Sequence, residues 1–344
     1  MNDLKILITA AGCPGAATNI RHLKKIKERE IFLIGTDLNH DKIGKHWCDK
    51  FYTVPKGDDE QFVPRLLEII DIEKPDVLFP QSSAEVITLS KNKDILEKTG
   101  VKVLISSEEA VYKSENKAEL YKTLENTPVK IPNFKIVNSL DEFLEAVETL
   151  GYPSIPVCFK PPISKGTRGF RILRDDVSRK HVLLNERPIN RFISINEFKE
   201  IFEGDSDFPE LLVMEFVEGE EHTTDPLARN GETLLCPVKT RENERAGLAM
   251  KFIQTNNPKL VESTEYIIKK MNLDWLANLQ FIGEYLIELN PRVSTQMFTD
   301  EVNLPYLAIK LILNEITDEE IRSYSEKVKE EFTSLRYFDQ IYFD

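Results

Sequence analysis

The first hundred residues alternate short apolar runs with helical patterns, and this rhythm limits the fold more than any other feature of the sequence. Strands are predicted at residues 5–10, 30–36, 75–80 and 100–105, and helices at 18–27, 58–73 and 84–98. Strands that alternate with helices form parallel sheets covered by helices on both faces. Continuous apolar runs also suit strands that are buried on both sides. We therefore predict an α/β domain built on a parallel sheet over residues 1–110.

The rhythm changes after this point, and we place a domain boundary in the polar stretch 106–109. The pattern of residues 115–125 predicts a helix. Another helix is predicted to begin after Ser139, because Ser139 can cap it while Glu142 occupies the third helical position. The second part of the chain therefore begins with helices rather than with a further strand and helix of the first domain.

Residues from Gly151 onward favour short strands and turns as far as about residue 292. Such a mixture of helices and short strands is typical of an α+β domain, which we place at residues 111–330. The remaining residues, 331–344, are predicted to be a C-terminal tail. Two further helices are predicted near the end of the domain, at residues 303–314 and 317–329.

The charge balance excludes several classes of function. The chain has 45 Lys and Arg against 58 Asp and Glu, which gives a net charge of −13. A sequence-independent nucleic-acid binder needs a basic surface, so we expect no nucleic-acid partner. No apolar run approaches the length that crosses a membrane, and no membrane partner is expected. The scattered cysteines suggest neither a zinc site nor a disulfide framework, which favours a cytoplasmic protein.

A glycine-bearing turn follows the first predicted strand at residues 12–15. Glycines at such a turn let backbone N–H groups approach an anion at a helix N-terminus. The full glycine pattern of a dinucleotide site is missing, and Pro14 removes one N–H group. Asp37, at the end of the second strand, could contact a ribose. The alternative is a tight turn that binds no nucleotide, and an oxidoreductase would rest on this turn alone.

A second candidate is the loop that follows Lys160, because it is small, basic and rich in glycine. Such a loop can place N–H groups, hydroxyls and a cation along a polyphosphate. A solvated turn is the alternative, since the spacing is not that of a Walker A loop. The loop residues of interest are Ser164, Gly166, Arg168 and Gly169.

A third candidate is the apolar run 211–214, which leads directly into a cluster of carboxylates that includes Glu215 and Glu221. A glutamate at a strand end can accept a hydrogen bond from a purine amino group, while a neighbouring backbone N–H group donates to the ring. An exposed acidic turn after an edge strand is the alternative.

The fourth and most specific candidate is a predicted hairpin over residues 278–292, with Gly283 in its turn. Glu288, Asn290 and Arg292 follow one another at every second position, which places them on one face of an extended strand. Their carboxylate and amide oxygens, with those of Gln280 opposite, suit Mg²⁺. An arginine two residues further can hold a phosphoryl oxygen. Pro291 confines this strand end to a sheet edge or a bulge.

In these residues the chain resembles the ATP-grasp superfamily, especially the ligase domains of carbamoyl phosphate synthase large subunits and their free-standing relatives. The resemblance covers about residues 4–310 and is strongest at Gln280 and at 288–292, which look like the metal-binding hairpin of that family. It implies a Rossmann-like pre-ATP-grasp domain followed by an α+β ATP-grasp domain, with the nucleotide and Mg²⁺ between two subdomains of the latter.

The resemblance also implies a role for each matching residue. For ATP, it implies phosphate contacts from Lys117, Lys160 and the loop residues Ser164, Gly166, Arg168 and Gly169, adenine contacts from Glu215, Phe216 and Val217, and a ribose contact from Glu221. For Mg²⁺, it implies the ligands Gln280, Glu288 and Asn290, with Glu288 bridging two ions. For catalysis, it implies Arg292 and Lys160 on the transferring phosphoryl group. For the substrate, it implies Arg241, Arg245 and Glu85.

The activity implied by the resemblance is that of an ATP-dependent carboxylate–amine ligase. A carboxylate would attack ATP to give an acyl phosphate and ADP, and an amine would then displace phosphate. The expected cofactors are ATP and two Mg²⁺ ions, with Mn²⁺ as a substitute, and the expected partners are a small-molecule carboxylate and an amine, with a homodimer or a partner ligase subunit. The alternatives are one subunit of a split synthetase and a nucleotide-binding protein without turnover.

Overall fold

The computed structural model of the chain describes residues 3–164, 168–185, 191–243, 248–293, 298–299 and 301–343. It divides into two compact units, each taken by itself below. The first unit comprises Met1–Glu115, Glu221–Gln280 and Glu288–Asp344, and the second comprises Asn116–Glu220 and Phe281–Ile287. The boundary predicted near residue 110 falls inside a helix of the first unit and stays a prediction.

The N-terminal part of the first unit is built on a parallel sheet, which we call the N-terminal sheet. Its strands are β1 (Leu4–Ile8), β2 (Ile31–Asp37), β3 (Lys50–Thr53), β4 (Val77–Phe79) and β5 (Lys102–Val103). They lie in the order β3-β2-β1-β4-β5, and neighbours run parallel. In β1, Ile6 and Ile8 belong to one apolar cluster and Leu7 to another. The strand is therefore buried on both sides, as its continuous apolar run predicts.

Helices connect these strands and cover the apolar faces of the sheet. They are α1 (Ala16–Lys24), α2 (Ile43–Trp47), α3 (Phe62–Glu73), α4 (Val86–Lys91), α5 (Lys93–Glu97) and α6 (Glu108–Glu115). The amphipathic pattern of α3 is confirmed, because Phe62, Leu66 and Ile69 are fully buried. The single helix predicted over residues 84–98 is wrong, since the chain breaks into α4 and α5 at Asn92.

β3 and α2 are present in the structure but were not predicted from the sequence. β3 has no continuous apolar run, and its end residues Lys50 and Thr53 are exposed while the two between them are half-buried. A strand at the edge of a parallel sheet needs less apolar surface than a central strand. The continuous apolar run that predicts the neighbouring strands is therefore missing from β3.

The second unit contains a mostly antiparallel sheet packed against helices. Its elements are α7 (Lys117–Leu124), β6 (Phe134–Val137), α8 (Leu140–Thr149), β7 (Val157–Lys160), β8 (Arg171–Leu173), α9 (Arg179–Asn185), β9 (Phe192–Ile193), α10 (Ile195–Phe202) and β10 (Leu211–Glu215). The strand order is β6-β10-β7-β8-β9. Ser139 caps α8, its side chain accepting from the Glu142 backbone N–H group at 3.2 Å, which confirms the predicted cap.

From Glu221 onward the chain forms a larger antiparallel sheet, which we call the C-terminal sheet, and a small three-stranded sheet; residues Phe281–Ile287 of the larger sheet are counted with the second unit. The elements are β11 (Glu221–Thr224), β12 (Leu227–Arg229), β13 (Glu232–Leu235), β14 (Val238–Thr240), β15 (Lys251–Thr255), α11 (Pro258–Met271), β16 (Trp275–Leu276), β17 (Asn278–Ile282), β18 (Tyr285–Asn290), α12 (Leu304–Ile312), α13 (Asp318–Ser323), a 3₁₀ turn (Tyr324–Lys327) and β19 (Thr333–Leu335). The order of the C-terminal sheet is β18-β17-β11-β14-β15-β19, and that of the small sheet is β13-β12-β16.

Two findings in this region differ from the sequence analysis. The prediction of strands and turns up to residue 292 is wrong at α11, a 14-residue helix that Asn257 caps and whose Leu260, Ile267 and Ile268 are buried. Residues 331–344, expected as a tail, begin with β19, which extends the C-terminal sheet. Among the described residues, no helix has both the length and the apolar character needed to cross a membrane.

An aromatic cluster holds the second unit together. Phe198 is 1% exposed and stacks on Phe143 at 3.8 Å between ring centroids, with the edge of Phe159 at 4.9 Å. Replacing Phe198 by Ala removes these contacts and leaves a cavity, so we expect a loss of about 3–5 kcal/mol in the free energy of unfolding. Chemical denaturation measures this loss. Phe338→Ala is the control, because Phe338 is 68% exposed, and its expected change is within about 0.5 kcal/mol. Equal effects of the two variants would contradict the assignment of this core.

Candidate active site

The predicted hairpin is present as β17 and β18, joined by a two-residue turn. Gly283 in this turn has a φ of +55°, a left-handed conformation that favours glycine. β18 lies at the edge of the C-terminal sheet. This confirms the inference from Pro291, which cannot donate a ladder hydrogen bond.

Asn290 and Arg292 are brought together at the end of β18. The Arg292 Nη2 group donates to the Asn290 Oδ1 atom at 3.2 Å, and its Nε group donates to the Ser83 Oγ atom at 2.9 Å. Ser83 in turn donates to the Glu115 Oε1 atom at 3.0 Å. A guanidinium held by several hydrogen bonds loses less freedom when it binds a further anion. Arg292 is therefore positioned in advance by residues from two distant parts of the first unit.

The predicted common face of Glu288, Asn290 and Arg292 is supported only for the last two. The burial along β18 runs exposed, buried, half-buried, half-buried, buried, buried. Ile287 and Glu288 are both half-buried, so burial alone does not show which face of the strand carries Glu288. Glu288 is half-buried, and its place beside Asn290 stays a prediction.

Gln280 lies at the end of a chain of buried polar contacts in the first unit. Its Nε2 group donates to the Asn278 Oδ1 atom at 3.5 Å, and the Asn278 Nδ2 group donates to the Asp225 Oδ1 atom at 2.7 Å and also to the Thr223 Oγ1 atom. Asp225 is fully buried and forms an ion pair with Lys239. Burial lowers the pKa of Lys239, and the Asp225 carboxylate acts in the opposite direction.

The donor atoms at the hairpin fit a hard divalent cation. Glu288 offers a carboxylate and Asn290 an amide oxygen, which are ligand types that Mg²⁺ takes. The amide nitrogen of Gln280 donates to Asn278, so the oxygen of that amide is directed to the other side of the group. The residues therefore have the chemistry of a magnesium site.

Glu221 and Arg241 contact each other on neighbouring strands of the first unit. The Arg241 Nε group lies 3.4 Å from the Glu221 Oε2 atom, and the Arg241 backbone N–H group donates to the Glu221 carbonyl oxygen at 2.8 Å. The structure thus brings together a residue predicted to bind ribose and one predicted to bind substrate. Arg245, the other predicted substrate residue, lies outside the described residues.

Lys117 and Lys160 both contact backbone oxygens within the second unit. The Lys160 Nζ group donates to the Ile287 carbonyl oxygen at 3.3 Å, and the Lys117 Nζ group donates to that of Ser164 at 3.4 Å. Each of the two residues is 6% exposed. Lys117 begins α7, where the Asn116 side chain accepts from two backbone N–H groups of the first turn. The two predicted phosphate-binding lysines are therefore held at fixed positions.

Gly169 shows why the loop after Lys160 needs a glycine. Its φ is +76°, and a Cβ atom there would lie 2.5 Å from the Pro161 Cδ atom. Any other residue at position 169 would strain the backbone of the loop between β7 and β8. Arg168 is exposed. Gly166 lies outside the described residues, so the predicted closure of this loop over a polyphosphate stays a prediction.

The predicted adenine-binding segment is anchored to its neighbours in the second unit. The Glu215 carboxylate accepts from the side chain of Asn133 at 2.7 Å and from its backbone N–H group at 3.2 Å. The Phe216 backbone N–H group donates to the Pro156 carbonyl oxygen at 2.8 Å. Because the Glu215 side chain has these partners, a base at this segment would be read through backbone groups of Glu215 and Val217.

The turn at residues 12–15 is held by Asp37. The Asp37 Oδ2 atom accepts from the Gly12 N–H group at 2.8 Å, and its Oδ1 atom accepts from the Asn39 N–H group at 3.1 Å. These contacts favour the structural alternative for the turn over a ribose contact. Burial raises the pKa of Cys13 in this turn, while the charge of Arg292 lowers it. Glu85, predicted to contact substrate, is 7% exposed and lies at the start of α4.

Two family descriptions match the chain. Residues 207–333 match the family described as "ATP-grasp in the biosynthetic pathway with Ter operon". This segment of the chain is therefore similar to an ATP-grasp domain. Residues 6–104 match the PylC-like N-terminal domain, which corresponds to the N-terminal sheet and its helices. The predicted family resemblance is confirmed.

Similar sequences include carbamoyl phosphate synthase large chains. The chain is 29% identical to that of Lachnoclostridium phytofermentans over 288 residues, which cover 78% of this chain and 24% of the relative. It is 26% identical to that of Clostridium acetobutylicum over 247 residues, which cover 68% and 21%. The chain therefore spans about a quarter of the length of the curated relatives it matches.

Solved structures show the same fold. The biotin carboxylase domain of Hydrogenobacter thermophilus 2-oxoglutarate carboxylase, a dimer in complex with MgADP, ADP and bicarbonate, has a TM-score of 0.69 at 17% identity and covers 96% of this chain and 73% of that chain. Staphylococcus aureus N5-carboxyaminoimidazole synthetase in complex with ADP has a TM-score of 0.62 at 17% identity and covers 86% and 71%. The predicted fold class, a parallel-sheet domain followed by an ATP-grasp domain, is confirmed.

The sequence analysis missed Ser83, Glu115 and Asn278, which hold the predicted site residues. Ser83 could have been found, because it follows β4, and ligands of α/β sheets contact residues beyond the carboxyl ends of the strands. Glu115 and Asn278 carry no comparable signal, since only tertiary contacts show which residues they support.

The buried pair of Asp225 and Lys239 gives a test of this network. Asp225→Asn leaves the Lys239 ammonium buried without its carboxylate, which should cost about 3–5 kcal/mol of folding free energy. The double variant Asp225→Asn, Lys239→Met removes both charges and should recover most of that loss. Denaturation of the wild type and of both variants measures the loss and its recovery. A single variant as stable as the wild type would show that the ion pair is not formed.

Proposed function

We propose that this chain is an ATP-dependent carboxylate–amine ligase. The observation that carries the proposal is the arrangement at the end of β18, where Asn290 holds Arg292 beside the carboxylate-bearing strand and Ser83 and Glu115 brace the guanidinium. A guanidinium that is held by several hydrogen bonds in this way loses little freedom when it binds a phosphoryl group. Phosphoryl transfer depends on positioned charge more than on covalent help.

The proposed reaction has two steps. A carboxylate oxygen of the substrate attacks the γ-phosphorus of ATP, the bond to the β-phosphate oxygen breaks, and ADP leaves. An amine then attacks the acyl phosphate and displaces inorganic phosphate. Arg292 and Lys160 carry positive charge that offsets the charge of the transferring group. Mg²⁺ held by Glu288, Asn290 and Gln280 would neutralise the triphosphate.

The nucleotide is proposed to contact two sets of residues. Lys117, Lys160 and the loop of Ser164, Arg168 and Gly169 would hold the phosphates, because lysines and small loop residues offer cationic and N–H donors. Backbone groups of Glu215 and Val217 would read the base, and Glu221 the ribose. Support comes from the two solved structures named above, which are described in complex with ADP or with MgADP and ADP.

The decisive experiment is a product assay. Purified chain is incubated with Mg²⁺–ATP and a panel of carboxylates and amines, and the nucleotide and phosphate products are measured. Release of ADP and phosphate that depends on both a carboxylate and an amine is the expected result. Release of AMP would indicate adenylation instead. Absence of any nucleotide turnover across the panel, despite ATP binding, would favour a nucleotide-binding protein without catalysis.

One alternative has an observation in its favour. The chain spans about a quarter of its carbamoyl phosphate synthase relatives, so it could supply one ligase half to a partner subunit. Turnover by the chain alone would refute that alternative. A homodimer, the other predicted assembly, is tested by its mass in solution.

Glu288 is the proposed metal-binding carboxylate, and its substitution tests this role. Glu288→Gln keeps the size of the side chain but removes its charge, so we expect turnover to fall about a hundredfold or more. Glu262→Gln is the control, because Glu262 is exposed on α11. Turnover is measured at saturating ATP over a range of Mg²⁺ concentrations. Wild-type turnover in Glu288→Gln would refute the metal assignment.

A second prediction concerns Lys160. Lys160→Ala removes a charged donor from the proposed phosphate site, and the dissociation constant for ATP should rise about tenfold or more. Lys135→Ala is the control, because Lys135 is exposed on β6 of the same unit. Thermal unfolding with Mg²⁺–ATP gives the readout, since ligand at a hundred times its dissociation constant adds about 2.7 kcal/mol to the native state. Equal ATP affinity in the two variants would contradict the phosphate role.

A further inference from the structure

The C-terminal strand brings an arginine to the C-terminal sheet that sequence motifs do not single out. β19 pairs with β15 in the register Phe252 opposite Ser334 and Lys251 opposite Leu335. The pairing continues one residue further, because the Arg336 backbone N–H group donates to the Met250 carbonyl oxygen at 2.8 Å. Arg336 is therefore held in strand register by backbone contacts of the first unit.

The register also fixes the face on which Arg336 lies. β14 and β15 pair Lys239 with Gln254, and a bridge pairs Glu242 with Lys251, so Arg241 lies opposite Phe252. Cross-strand partners share a face, as do residues two apart in one strand. Arg241, Phe252 and Ser334 therefore share a face, and Arg336, two residues after Ser334, shares it as well.

The same face carries predicted site residues. Thr223 pairs with Lys239 and contacts Asn278, which places Asn278 on this face. Gln280, two residues along β17, follows it. One face of the C-terminal sheet thus carries the predicted metal ligand Gln280 together with Arg241 and Arg336.

The pKa of Arg336 is consistent with a position near Arg241. Burial lowers the pKa of Arg336, and the charge of Arg241 lowers it further, whereas Cys13 acts in the opposite direction. Arg292 acts on the same Cys13 thiol. The Arg241 Nε group faces Glu221, and the remaining repulsion between the two partly buried guanidinium groups favours the binding of a further anion.

We propose that Arg241 and Arg336 together bind a substrate carboxylate that is not phosphorylated. The inference rests on the proposed function, in which Arg292 serves the transferring phosphoryl group and leaves a second anion to other residues. The planar guanidinium groups suit a carboxylate, which each can hold by two parallel hydrogen bonds. The substrate class is then a dicarboxylic acid, or an amino acid that reacts through its amine.

The test compares pairs of probes that differ by one carboxylate. Succinate is compared with butyrate, and β-alanine with propylamine, by calorimetric titration into the full chain saturated with Mg²⁺–ADP. The wild type, Arg336→Gln and Arg336→Lys are measured. Arg322→Gln is the matched control, because Arg322 is an exposed arginine of the same unit that pairs with Glu232.

We expect the wild type to bind the member of one pair that has the additional carboxylate at least about tenfold more tightly than the other member. A hydrogen bond between charged groups contributes a free energy of this size. Arg336→Gln should remove this preference and Arg322→Gln should keep it. A preference for succinate over butyrate would show that the carboxylate bound by the two arginines belongs to the acid substrate. A preference for β-alanine over propylamine would show that it belongs to the amine substrate.

Two results would overturn the inference: no preference in the wild type for either pair, or a full preference in Arg336→Gln. If Arg336→Gln does not fold, Arg336→Lys decides, since an unchanged preference there contradicts binding by the guanidinium. The Mg²⁺–ADP titration separates the two proposals. Failure of the wild type to bind Mg²⁺–ADP refutes the proposed function, whereas nucleotide binding without carboxylate preference refutes only this inference.

Discussion

Backbone pairing across the C-terminal sheet is the constraint on which the candidate site depends. It sets strands from distant parts of the chain in one register, so that Glu221 contacts Arg241 and Arg336 lies two strands away on the same face. Side-chain direction follows from this register, because cross-strand partners point to one side of a sheet. The site of the first unit is therefore a property of strand pairing more than of any single motif.

A second constraint is that buried charges need partners. Asp225 and Lys239 satisfy each other inside the first unit, and Asn278 links the pair to Gln280. Removing one partner of a buried ion pair typically costs several kcal/mol of folding free energy. Such a network therefore holds its members in place. Arg292 shows the same principle, because it is braced by hydrogen bonds before any phosphoryl group arrives.

Local sequence patterns predicted much of the fold and part of the site. The N-terminal sheet was found from its apolar runs, and the hairpin from its turn and from Pro291, because these signals lie within a few residues of each other. The edge strand β3 was missed because it carries too little apolar surface, and α11 because its buried stripe lies within a polar segment. Spacing predicted a common face for Glu288, Asn290 and Arg292, and the hydrogen bond between Arg292 and Asn290 supports it for those two residues.

The fold class, the turn of the hairpin and the residue types at the predicted phosphate and metal sites follow from the sequence, since they depend on short-range patterns and on the chemistry of single side chains. Which of those side chains meet depends on the tertiary structure. It paired Glu215 with Asn133 and Arg292 with Ser83, and it placed a strand, with Arg336 directly after it, in the expected C-terminal tail. Contacts between residues far apart in the chain depend on packing and strand register, which no local pattern encodes.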